Sequence, residues 1–221
     1  MKWLFFLALL TFSAFASADI TSAESSKYSA ELVYTILKLA KLFGYLVGFI
    51  LFITALVSAC KLHAENSKTS QISIVLMVLV GTLMMNVDSA LSVLGNTYFD
   101  KSGVEDVCFI VQESGVSETC FSDELSGLTG QLKDRIEKMS GGKTAEVFFS
   151  KLKVILGLLQ VIGFIYFLVG TYGLYQVSNG SSKDGGFGKP LTTMFASALI
   201  VDLPHTIENA VATLNKIGIQ F

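Results

Sequence analysis

The sequence predicts an all-α membrane protein: a signal peptide followed by four transmembrane helices arranged as two tandem helical hairpins. Three observations carry that expectation. Of 221 residues, 52% are hydrophobic and 15% are charged, and the mean hydropathy is +0.60, a balance rare in a water-soluble domain of this size. Long uncharged runs recur along the chain. The residues around the first run reappear, in register, around the third. There is one arginine, Arg135, and the net charge is −2. A basic nucleic-acid footprint is absent, so no direct nucleic-acid binding is expected.

The elements follow in chain order. Residues 1–18 read MKWLFFLALLTFSAFASA. Lys2 supplies a positive start, Trp3 to Phe12 an apolar stretch, and Ala16-Ser17-Ala18 a small-x-small cleavage site, which begins the mature chain at Asp19. The competing reading is an uncleaved first membrane helix. Residues 19–95 form the first hairpin repeat, with spans at 42–60 and 70–87. Residues 144–221 form the second, with a span at 154–177 and another that starts at Pro190 and meets Asp202. A span needs roughly twenty mostly apolar residues. The stretches 42–60 and 154–177 meet that easily; the other two do so only if a polar interruption is tolerated.

A cleaved signal places Asp19 outside the cytoplasm. Four crossings then put the loops 61–69 and 178–189 inside, where Lys61, Lys68, Lys183 and Lys189 outnumber Glu65 and Asp184. The connecting segment 96–143 falls outside and is acidic. It holds Cys108 and Cys120, which can pair in an oxidising compartment. Closing so short a loop contributes about 3 kcal/mol in the chain-entropy model. Two free thiols would instead require inverted topology. Cys60 reads as a packing residue. Within the same segment, Ser122 caps a predicted amphipathic helix in which Leu125, Leu128, Leu132, Ile136 and Met139 recur at helical spacing, and Gly141-Gly142 ends it. Such a helix can lie on the membrane, on a partner or on its own loop.

Residues 31–52, ELVYTILKLAKLFGYLVGFILF, align without a gap on 146–167, EVFFSKLKVILGLLQVIGFIYF. Glu31, Leu37, Lys38, Gly48, Phe49, Ile50 and Phe52 match Glu146, Leu152, Lys153, Gly163, Phe164, Ile165 and Phe167. One extra residue in the second inner loop sets LMMNVDSALSVL (83–94) over LIVDLPHTIENA (199–210), so Asn86 falls on Asp202. Asn and Asp are good N-caps, and Pro204 suits a first helical turn. Both second spans are therefore expected to stop and restart near the outer leaflet. The last restart carries Ile207, Val211 and Leu214 as an apolar stripe. Asp88, His205 and Glu208 are the further intramembrane polar residues, and His205 and Glu208, three apart, can pair. Interhelical polar packing and an ion or proton pathway are the competing readings of this cluster.

Gly44 and Gly48 in the first span, and Gly163 and Gly170 in the third, form small-residue faces that let helices approach closely, inside the bundle or between subunits. SNGSSKDGGFGKP (178–190) lacks the Walker spacing, because Pro190 follows Lys189. It reads as a flexible turn before a helix that Pro190 starts. His63 and His205 are too far apart in sequence to suggest a metal site. No nucleophile–base pattern appears, so neither an enzyme nor a cofactor is expected.

Through DGGFGKPLT (184–192) and VDLPHTIENAVATL (201–214), together with the signal peptide and tandem hairpins, the chain resembles the IcmC/DotE proteins of type IVB (Dot/Icm) secretion systems and the related TraQ proteins of conjugative plasmids. A single half is similar to the smaller IcmD/DotP type. The likeness covers about residues 30–60 and 146–214. It implies a multi-pass subunit of the bacterial inner membrane, with termini and the 96–143 loop in the periplasm, in a machine that exports proteins or DNA. Expected partners are the lipid bilayer, other membrane and periplasmic subunits, and further copies of the chain. Two other roles compete: a pilin-like filament subunit, and a small ion or proton channel using Asp202, His205 and Glu208.

Overall fold

Helix α1 spans Ala23–Lys61, 39 residues without a proline. Hydroxyl side chains inside it are satisfied by its own backbone: Thr54 donates to Leu51 O and Ser58 to Thr54 O, each at 2.8 Å. Helix α2 spans Gln71–Met85, and α3 spans Val87–Phe99. Strands β1, Val111–Gln112, and β2, Gly115–Val116, pair antiparallel with Val111 opposite Val116. Helix α4 spans Lys143–Ser178, α5 spans Gly188–Val201 and α6 spans Leu203–Lys216. The computed structural model describes residues 23–61, 71–99, 107–113, 115–116, 143–181 and 186–218. The expected signal peptide, Cys120 and the helix expected after Ser122 lie outside the described residues.

The architecture is mostly helical, and two helices are long and apolar enough to cross a membrane: Tyr28–Cys60 and Lys151–Ser178. The count becomes three if α2 and α3, bent by 98° at Asn86, form one broken span. The expectation of four spans narrows to these two or three. At 1.5 Å per residue α5 is about 21 Å long, short of a hydrocarbon layer of about 30 Å. Within the expected 96–143 loop, residues 107–113 and 115–116 carry a short antiparallel strand pair that packs against α1 and α4.

Two long helices each carry one short helix, α2 on α1 and α5 on α4. The aligned glycines explain why. A Cβ on Gly48 would lie 2.8 Å from Met84 Cβ and 2.9 Å from Gly81 O and Met85 N, all on α2. A Cβ on Gly163 would lie 2.9 Å from Ile200 Cγ2 and 3.1 Å from Val201 Cγ2, on α5. Met84 and Met85 are the residues that the sequence alignment sets over Ile200 and Val201. Equivalent glycines thus receive equivalent neighbours, through the close backbone approach that packs apolar helices when hydrophobic drive is weak. Between the hairpins lies the core, in which Phe164, Phe167 and Val80 are fully buried.

The end of the bundle away from the helix breaks is held by Ser73 on α2, whose hydroxyl donates to Asn179 Oδ1 at 2.9 Å. There α4 ends on Gly180 with φ +68°, a left-handed cap suited to glycine. Pro190 falls in the first turn of α5, where its missing N–H costs nothing.

Candidate functional site

The chemistry concentrates where α2 and α5 break. Helix α5 stops at Val201, and the N–H of Asp202 makes the last regular bond, to Ala198 O at 3.0 Å. Pro204 offers no N–H to the carbonyl four residues before it. A break therefore frees carbonyls inside an apolar bundle, where each unmet group costs several kcal/mol. Two side chains meet them. Thr206 Oγ1 donates to Leu199 O at 2.8 Å, and Gln160 Nε2 donates to Val201 O at 2.7 Å.

Gln160 does more. It sits inside the apolar run of α4 and is 1% exposed. Its Nε2 also donates to Cys108 O at 2.8 Å, and its Oε1 accepts from the N–H of Ile110 at 2.8 Å. One amide thus joins α4, the end of α5 and the entering hairpin. Ile110 and Val111 are buried beside it. Gly157, one turn earlier on α4, makes room for the Val111 side chain, which a Cβ there would strike. Sequence reading missed Gln160. The available signal was a lone amide among apolar residues 154–168, since a buried polar side chain needs a hydrogen-bond partner.

Asp202 is 6% exposed. Its Oδ1 lies 2.7 Å from His205 Nδ1. Its other oxygen, Oδ2, faces Gly95 on α3, where an added Cβ would come within 3.2 Å. The expected cap is therefore corrected in detail. The carboxylate bonds to a ring nitrogen three residues on, and Gly95 of the first repeat packs against it. Pro204 is buried in the first turn of α6. The side chain of Glu208, the other expected partner of His205, lies outside the described residues. Hydrogen bonds involving a charged partner contribute about 1.5–3 kcal/mol. A double-mutant cycle of Asp202→Ala with His205→Ala, read by thermal unfolding in detergent, is expected to give a coupling of about 1–3 kcal/mol. Additive single effects would dismiss the pair.

Asn86 occupies the matching break but differs. Its Nδ2 points back to Thr82 O at 3.5 Å, and its own carbonyl accepts from the N–H of Ala90 at 2.9 Å. Among the described residues, the Asn86 side chain caps no N–H of α3. Asp88 instead pairs with Lys41 of α1, with Nζ 2.9 Å from Oδ1 and 3.0 Å from Oδ2. The same ammonium lies 4.2 Å from the centre of the Phe109 ring. Lys41 therefore links α1, the start of α3 and the hairpin. Around it, Tyr34, Leu37, Val107, Val111, Gln112 and Glu113 complete an open cleft of about 560 Å³.

Of the small residues singled out, Gly48 and Gly163 face the short helix of their own hairpin. Gly170 does so too, with Met194 and Pro190 as neighbours. Gly44 faces Leu168 of α4, across the two hairpins. Cys108 carries a disulfide, whereas Cys60 is free and exposed. The expected second half, Cys120, is outside the described residues. Among the described residues, no group of three or more His, Cys, Asp or Glu side chains is placed to hold a metal ion.

The fold and site define a helical protein suited to a membrane, with a polar junction at its helix breaks. No family model, curated protein or solved structure matches the chain.

Proposed function

We propose that the chain is a structural, non-catalytic subunit of a type IVB secretion or conjugal transfer apparatus in a bacterial inner membrane. In this reading it crosses the bilayer as two tandem hairpins, with 96–143 and both termini in the periplasm and Cys108 bonded to Cys120. The short α5 crosses together with the segment after its break, or ends within the outer leaflet. The resemblance of residues 184–192 and 201–214 to IcmC/DotE and TraQ proteins supplies the apparatus. The observation that favours a scaffold is how the polar residues of 201–214 are used. Asp202 and Thr206 are bonded within the junction, and Gln160 satisfies Val201 O. Among the described residues, no buried side-chain nitrogen or oxygen lacks a hydrogen-bond partner. Polar groups spent on holding a break are not arranged as a relay, which weighs against the channel reading. The pilin-like reading draws on the hairpin form alone.

An in-frame deletion is expected to abolish effector or plasmid transfer while leaving membrane ion flux unchanged. Transfer at the parental level would remove the proposal. Recovery of the chain in sheared surface filaments would replace it with the filament role. Loss of proton conductance in an assembled Asp202→Asn variant would replace it with the channel role.

A further inference from the structure

We propose that α1 is the seam of a parallel homodimer, two copies of this chain packed side by side as a coiled coil through an outward heptad. The face of α1 turned away from the bundle carries Leu32, Leu39, Leu46 and Ile53 at seven-residue spacing. It carries Ile36, Phe43, Ile50 and Val57 four residues after each of these. All eight are exposed, between 37% and 63%. Intervals of three and four alternate without a fault over four heptads, the 3.5-residue period that winds helices into a left-handed pair. With Ile36 set at the first heptad position, that position holds Ile, Phe, Ile and Val, and the fourth holds Leu, Leu, Leu and Ile. β-Branched residues at three of the four positions in the first set and leucine at three of four in the second favour two strands. The neighbouring stripe through Leu42, Phe49 and Leu56 is interrupted by Thr35 at its outer end, so it makes a poorer seam.

Lipid alone does not account for the stripe. From Leu32 to Val57 it runs about 38 Å along the helix, longer than a hydrocarbon layer of about 30 Å. Its outer members Leu32, Ile36 and Leu39 lie beyond the uncharged stretch 42–60. They share that level with Lys38, Lys41 and Asp88. Eight side chains at about half exposure offer on the order of 600–700 Å² per copy, near the roughly 800 Å² per partner of a standard interface. Gly44 and Gly48 are already used inside the bundle, so the small-residue face is not available for this contact. Copies inserted in one membrane share one orientation, which makes a two-fold pair of α1 helices parallel.

The proposal is independent of the transfer role and is tested on purified full-length protein in lipid bilayers. In a Cys60→Ser background, single cysteines at Leu32, Ile36 and Leu39 are expected to cross-link between copies on mild oxidation. Cysteines at Thr35 and Lys38 should react at least tenfold more slowly. Cross-linking that peaks at Thr35, shows no heptad period or does not occur overturns the seam. As a check free of cysteine chemistry, the protein mass in detergent is expected to be two copies, falling to one in Leu32→Lys/Leu39→Lys with helix content unchanged. A wild-type mass of one copy also overturns it.

Discussion

Replacing Gln160 with leucine is expected to be the most damaging single change in the described part of the molecule. The substitution is close in volume, so the cost comes from hydrogen bonding. It strands the N–H of Ile110 and the carbonyls of Cys108 and Val201, all met by this one amide. An unmet buried backbone group costs about 1–3 kcal/mol. The two buried groups, Ile110 N–H and Val201 O, with a smaller share from the part-buried Cys108 O, set the expected loss at about 3–6 kcal/mol. Thermal unfolding in detergent, followed by near-ultraviolet circular dichroism, measures it. Limited proteolysis supplies a local readout, because cleavage near 107–116 should accelerate before the helices unfold. Gln160→Glu keeps the size and an acceptor but loses both Nε2 donors, so it should fall close to leucine. A Gln160→Leu protein within about 1 kcal/mol of wild type would refute the role assigned to this residue.

The second large effect separates the glycines by what faces them. In Gly48→Ala the new methyl meets Gly81 O and Met85 N at 2.9 Å, backbone atoms that cannot turn aside. Helices α1 and α2 must part, and overpacking of this kind costs about 1–3 kcal/mol. In Gly163→Ala the nearest atoms are the branched side chains of Ile200 and Val201, which have limited freedom. In Gly44→Ala the neighbour is the tip of Leu168, at 3.0 Å, and a leucine tip can rotate. The expected order of destabilisation is Gly48, then Gly163, then Gly44. Unfolding midpoints of the three variants decide it, and an inverted order would mean that side-chain rather than backbone contact limits the helix approach.

The two effects mark where sequence reading succeeds and where it stops. The apolar runs without charge made helices necessary, because only a helix or a closed barrel satisfies its own backbone in lipid. The register of the two halves was legible because Glu31, Gly48 and Phe49 recur as Glu146, Gly163 and Phe164. Asn86, Asp202 and Pro204 marked interruptions through local backbone chemistry, and a turn does fall at both Asn86 and Asp202. What those side chains bind was not legible. A cap is local, so sequence suggested one. The actual partners of the second break are Gln160, 41 residues away from Val201 in the chain, and Gly95 from the other repeat.

The entering hairpin shows the same limit. Val107, Phe109 and Val111 alternate as a strand does, but a stretch this short gives no direction. Its position depends on Gly157 and Gln160 on α4 and on Lys41 on α1. Hydropathy and backbone rules, acting within a few turns, account for the apolar helices, the likeness of the two halves and the places where the helices break. Which groups close the broken ends, the 98° turn between α2 and α3, and the shortness of α5 emerge only once the helices are packed together. Those outcomes depend on which distant polar atom reaches an orphaned carbonyl, and no local pattern encodes that distance.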